Sequence, residues 1–173
     1  MKNFTISIIC IFVFSAWGHG DENHENDYED RVETTMKHHD SLAAENTQVV
    51  NIYQEINTDY LKLIKPIFKR SCFDCHSDQT IYPWYYKFPG IKQFIDHDIK
   101  EAKEHLDFSN DFPFIGHEGP RKDLESIQKS ISQEEMPPKK YLFMHKAAKL
   151  NNQDKTEVEK WVKKSLLKIN SIN

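Results

Sequence analysis

Five consecutive residues, Cys72-Phe73-Asp74-Cys75-His76, hold two of the chain's three cysteines and one of its nine histidines. No other stretch restricts the fold so tightly. Two sulfurs and an imidazole this close must converge on one object, and the backbone around them must allow it. Three chemistries use a Cys-x-x-Cys pair: a redox disulfide, half of a zinc site, and covalent haem attachment.

The flanking chain separates these readings. A catalytic dithiol normally follows a strand and sits at a helix N-terminus, which stabilises the thiolate. Here Pro66 to Ser71 reads as a short helix running straight into Cys72. Pro66 fits its first turn, where a missing N–H costs nothing. Ile67, Phe68 and Ser71 give that helix an inward face beside Cys72. A structural zinc site needs four ligands. The third cysteine, Cys10, lies in an apolar N-terminal run, and His97, His105, His117 and His145 make no closely spaced pair. Haem attachment uses every part of the pentad. Cys72 and Cys75, one helical turn apart, present two sulfurs to the porphyrin vinyl groups, and His76 supplies the proximal iron ligand. The expectation is one covalent haem c, with its iron, per chain.

The N-terminal run agrees with chemistry outside the cytoplasm. Lys2 gives a short positive region, Phe4 to Trp17 an apolar one, and Ala16 and Gly18 the small residues of a cleavage site. Residues 1–18 therefore read as a signal peptide, and the mature chain as periplasmic or secreted. A retained membrane anchor is the alternative, although the run is shorter than the roughly 20 apolar residues of a span. Residues 19–46 carry nine acidic and two basic residues and almost no apolar ones. Such a segment cannot bury enough surface to offset its ordering entropy, and reads as a disordered linker. Its histidines, His19, His24, His38 and His39, can bind a metal ion, but a soluble spacer accounts for them more simply. Residues 47–173 carry 20 basic and 18 acidic residues, a balance that argues against nucleic acid as a partner. They are expected to form one domain.

Helical periodicity dominates that domain. The spacing of Val50, Ile56, Tyr60 and Ile64 predicts a first helix. The stripe of Ile91, Phe94, Ile95, Ile99, Ala102 and Leu106 predicts another, and Leu124, Ile127 and Ile131 a shorter one from Pro120 to Ser132. A last helix opens at Asn151 or Asn152 and turns Val158, Trp161, Val162 and Leu166 inward. The aromatic stretch 78–90 and the Pro137-Pro138 stretch read as structured loops, and no segment alternates as a strand. The expected class is all-α, a cytochrome c-like domain with long Pro-rich loops wrapping the haem.

Phe68, Tyr82, Trp84, Tyr85, Phe88 and Phe94, all within twenty residues of His76, supply candidate apolar walls. For the sixth iron position Met136 is the leading candidate, because the prolines after it fix an extended backbone. Met144 is its close rival, followed by His97, His105, His117 and His145.

Taken together, CFDCHSDQTIYPWYYKFPG and EEMPPKKYLFMHKAAKLNNQDKTEVEKWV resemble the bacterial haem-binding domain family of secreted c-type cytochromes. The family shows C-x-x-C-H-S, a downstream Thr and Pro-Trp-Tyr, Met-Pro-Pro, a Tyr and His, and a closing helix with Trp. The resemblance covers roughly residues 60–167. It implies haem on Cys72 and Cys75 with His76 proximal, a role for Met136 on the opposite face, and packing of Trp84 and Tyr85 near the haem. The loop SNDFPFIGHEGP departs from the pattern by lacking a Trp after its Ser-Asn pair.

Two functions follow from this reading. The first is one-electron transfer by a His/Met-ligated iron, with Lys139, Lys140, Lys146 and Lys149 steering a redox partner protein. The alternative is a five-coordinate iron that senses or binds a small gas or peroxide. A peroxidase is less favoured, since one haem motif leaves no second site for an internal electron relay.

Overall fold

A computed structural model describes residue 37, residues 46–116 and residues 118–172. The expected signal peptide with Cys10, the acidic linker apart from residues 37 and 46, and His117 lie outside the described residues.

Helix α1, residues 46–59, continues through a π turn, Tyr60–Ile64, into α2, Lys65–Ser71, with Pro66 in the first turn of α2. In an unbroken α-helix the Pro66 ring would press on the carbonyl four residues earlier. The wider turn, closed by the Lys65 N–H on the Tyr60 carbonyl, carries the chain past that position without ending the helix. Ile56, Tyr60, Ile64, Ile67 and Phe68 are buried along one side, as the spacing predicts, whereas Val50 is exposed.

Helix α3, Phe73–His76, follows at once, and then a 3₁₀ turn, Trp84–Lys87. Helix α4 spans Ile91–His105. A two-residue strand, β1, Leu106–Asp107, pairs antiparallel with β2, Ile115–Gly116, in the register Leu106 to Gly116 and Asp107 to Ile115. The sequence gives no alternation here. The short ladder forms because the intervening loop turns Phe108, Phe112 and Phe114 into the core, which brings its two ends together. A Cβ on Gly116 would lie 1.9 Å from Asp123 Oδ1, so β2 passes the next helix at a distance that only glycine allows.

That helix is α5, Pro120–Ser132, with Leu124, Ile127 and Ile131 buried. The Pro137-Pro138 stretch is a loop only as far as Pro138, and α6, Lys139–Met144, starts directly after it. A 3₁₀ turn, Lys146–Ala148, leads to α7, Asn152–Asn170, which buries Val158, Trp161 and Val162. Among the described residues no helix is long and apolar enough to cross a membrane.

The core lies between α1–α2, the phenylalanine loop, α5 and α7. Tyr60 meets Phe114 edge-on at 5.0 Å between centroids, and the Trp161 indole N–H donates to the Ile56 carbonyl at 3.4 Å. The start of α7 is fixed by a reciprocal cap. The Asp154 N–H donates to Asn151 Oδ1 and the Asn151 N–H to Asp154 Oδ2, both at 2.9 Å. Asp154 also accepts from the Arg70 guanidinium at 2.6 Å, which ties the end of α2 to the start of α7. Replacing Asp154 with Ala removes the Arg70 tie and the Asp154 half of the cap, while Asn151 Oδ1 still accepts the N–H of residue 154. The expected loss is about 2 kcal/mol, read as a lower urea midpoint at unchanged m. A shift worth less than about 0.5 kcal/mol would show that the cap contributes little.

Candidate functional site

The pentad is built as one tight turn at the junction of α2 and α3. The Cys72 N–H donates to the Phe68 carbonyl at 2.7 Å, and the Cys75 and His76 N–H groups return to the Cys72 carbonyl at 3.2 and 3.0 Å. Both sulfurs therefore stand one turn apart on a fixed backbone. Ser77 ends the turn. Its extended backbone leaves the helix while its buried hydroxyl donates to the Phe73 carbonyl at 2.8 Å and accepts the Gln79 N–H at 3.0 Å.

His76 is held from two directions. Its Nδ1 lies 2.8 Å from the Leu106 carbonyl, and the Phe108 N–H donates to the His76 carbonyl at 2.6 Å. A carbonyl only accepts, so Nδ1 carries the hydrogen and Nε2 keeps its lone pair, the state in which a histidine ligates a metal. Burial lowers the imidazole pKa, against the opposing pull of the Leu106 and Ala102 carbonyls.

Both cysteines are free. Burial, with Cys75 adding to it, pushes the Cys72 thiol up to about 12. Burial and then the Asp74 and Asp98 carboxylates push Cys75 up to about 11. This is the reverse of the lowered pKa that a reactive dithiol needs. Among the described residues no three His, Cys, Asp or Glu side chains gather where they could hold a metal ion. The geometry supports neither a dithiol catalyst nor a zinc site.

What borders the pentad is apolar surface. Helix α4 packs against α3 and the 3₁₀ turn, and despite its apolar stripe it has no buried residue. Trp84 is 70% exposed and Phe94 53%, with Tyr82, Phe88 and Ile91 also exposed and Tyr85 partly so. Aromatic side chains this open, beside two protonated thiols and an imidazole with a free Nε2, fit a large flat apolar group such as haem. Phe68 is not among these walls. It faces the core from the inner side of α2, against Tyr60, Phe108 and Trp161. The side left without a Trp is filled instead by Phe108, whose ring lies 5.4 Å from that of His76 and stacks on Phe73 at 6.3 Å. Three phenylalanines within seven residues were the available signal.

Asp74, between the two cysteines, is the residue that motif reading passes over. Its Oδ1 accepts the Ile81 N–H at 3.0 Å, its Oδ2 the Tyr141 hydroxyl at 2.7 Å, and its carbonyl the Thr80 hydroxyl at 2.9 Å. Burial and the Asp74 carboxylate raise the Tyr141 pKa, so the phenol stays a donor. The His145 ring stacks on Tyr141 at 4.2 Å and meets Tyr85 edge-on at 6.2 Å, so this histidine is engaged in packing. Met136 stands in the turn between α5 and α6, 41% exposed, with Pro137 buried beside it. Its segment reaches the pentad through Tyr141. Met144 and His97 are exposed, as is His105 at the end of α4.

The raised thiol pKa values fix a pH dependence for the haem-free chain. Each thiol stays protonated well above its ordinary range. Alkylation is therefore expected to be slow near pH 8 and to quicken about tenfold per pH unit on approach to the Cys75 value of about 11. Alkylation already complete within minutes at neutral pH would contradict the buried environment described.

The haem-binding domain family model matches residues 32–164. A curated relative, the cytochrome c peroxidase Ccp of Escherichia coli (strain K12), is 28% identical over 126 residues, which is 72% of this chain and 24% of the relative. The chain thus spans about a quarter of that protein's length. No solved structure matches it. The family match extends over most of the chain and takes in the pentad, α4 and the Met136 turn, so the chain belongs to the haem-binding domain family.

Proposed function

We propose that this haem-binding domain is a monohaem c-type cytochrome that works outside the cytoplasm and passes single electrons. The observation that carries the reading is the exposed apolar surface of Ile91 and Phe94 on α4, with Trp84 and Phe88, beside a Cys-x-x-Cys-His turn with free thiols. Cys72 and Cys75 would hold the haem as thioethers, each S–H adding across one vinyl C=C so that sulfur takes one vinyl carbon, hydrogen the other, and no net oxidation occurs. His76, oriented by the Leu106 carbonyl, offers Nε2 as the proximal ligand. Met136 offers the second ligand, and Trp84, Tyr85, Phe88 and Phe94 shield the macrocycle from water. When bound, the haem supplies an iron that alternates between Fe(II) and Fe(III). A His/Met pair raises its potential relative to two nitrogen ligands. Similarity to about a quarter of a cytochrome c peroxidase supports a redox setting in which electrons come from or go to a partner.

The lysine cluster assigned to that partner narrows to three. Lys140 pairs with Asp98 at 2.8 Å and lies over the Phe94 ring at 4.4 Å, so its charge is already engaged. Lys139, Lys146 and Lys149 are exposed and remain as the steering charges for an acidic redox protein.

Production in a host that matures c-type cytochromes tests the central claim by mass. The chain is expected to gain one haem, and the double variant Cys72→Ser, Cys75→Ser to gain none. A wild-type mass without haem would overturn covalent attachment. In the ferric protein, Met136→Ala should abolish the weak far-red band of a thioether–Fe(III) bond. If wild type lacks that band and the variant has the same spectrum, the iron is five-coordinate or ligated by another residue. Electron transfer with an acidic partner should slow severalfold as ionic strength rises from about 10 mM to above 0.1 M. A rate indifferent to salt would remove the lysines from docking.

A further inference from the structure

Helix α6 has an unusual basis for its position. It is six residues long and none of them is buried. Apolar packing therefore does little to hold it, and polar contacts to two neighbouring helices do the holding. Tyr141 donates to Asp74 in α3, and Lys140 pairs with Asp98 in α4. The turn directly before α6 carries Met136. It is fixed on its other flank by the ion pair between Glu134 and Lys155 of α7. The only link from this turn to the pentad that runs through a side-chain hydrogen bond among the described residues is Tyr141 to Asp74. The same carboxylate holds the N–H of Ile81, where the aromatic segment bearing Trp84 begins. One carboxylate, placed between the two cysteines, thus pins both loops that flank the pentad.

We propose that Asp74 and Tyr141 are positioning residues that set where the Met136 thioether stands, and hence how firmly it occupies the sixth iron position. This rests on the reading that Met136 is the second ligand. Neither residue touches the iron; each acts through the turn that carries the methionine. Without the Tyr141 hydroxyl, α6 keeps its Lys140 pair and its His145 stack but loses its tie to the pentad. The turn is then free to shift by the small distances that decide whether a thioether bonds.

The test uses the full haem-loaded chain in four forms: wild type, Tyr141→Phe, Met136→Ala and the double variant. Tyr141→Phe removes one hydroxyl and preserves the ring that stacks on His145. Added imidazole competes for the sixth position, and its affinity is read beside the far-red band and the midpoint potential. Tyr141→Phe is expected to bind imidazole roughly tenfold more tightly than wild type, with a weakened band, since a hydrogen bond to a charged group is lost. On the Met136→Ala background the same substitution should leave imidazole affinity unchanged, because the effect passes through the methionine. Equal increases on both backgrounds, or no change on either, would overturn the positioning role. A wild type with no far-red band and with the imidazole affinity of Met136→Ala would instead overturn the ligand reading, and the positioning role with it. Should Tyr141→Phe fail to load haem, Asp74→Asn replaces it. Its amide keeps one acceptor oxygen where the carboxylate used two, so the Ile81 N–H and the Tyr141 hydroxyl cannot both be accepted; an imidazole affinity above wild type is expected, and wild-type affinity would count against the proposal.

Discussion

The double hydrogen bond between His76 and the chain at 106–108 organises the molecule. One bond runs from the imidazole to the Leu106 carbonyl and the other from the Phe108 N–H to the His76 carbonyl. Because they run in opposite senses, the ring cannot turn without disturbing the backbone that opposes it. The strand is locked in its turn by Asp107, which accepts from both the N–H and the hydroxyl of Ser109, while that hydroxyl accepts the Asp78 N–H. From this clamp the chain delivers Phe108 to Phe68, Phe112 to Trp161, and Phe114 to both Tyr60 and Trp161, so ligand orientation and core packing share one cause.

Segments whose fate is decided locally were legible in the sequence. Helix α5 and helix α7 bury the residues that their periodicity points inward, Leu166 only in part, and Asn151 caps α7 as its chemistry suggests. Pro66 opens α2, but the sequence alone does not reveal that a π turn joins it to α1, since that depends on which carbonyl the ring would meet. Segments decided by distant partners were less legible. The Phe108–Phe114 loop looks like connecting chain until its rings are seen to fill the space beside His76. Asp74 looks like a spacer within the pentad until Tyr141, far along the sequence, is found on it. Lys140 looks like free surface charge until Asp98 and Phe94 claim it.

The stripe on α4 is instructive for a different reason. Its periodicity correctly predicts a helix, and periodicity ordinarily also predicts that the stripe will be covered by protein. Here it is covered only in part: Ile95, Ile99 and Ala102 are half-buried while Ile91 and Phe94 are exposed, and in the reading proposed above haem would cover that exposed part. The chain accordingly has two apolar systems. One, centred on Tyr60 and Trp161, is closed by the chain itself. The other, formed by the exposed part of α4 and the Trp84 turn, would be completed by haem in the proposed reading.

That division means the state of assembly is written on the outside of the molecule. A chain without haem displays Trp84, Phe88 and Phe94, and in the proposed reading a loaded chain would conceal much of that area. Apolar faces of this kind drive self-association and attract holding factors and proteases. On that reading incomplete copies would be open to withdrawal on surface chemistry alone, with the exposed end of α4 as the label.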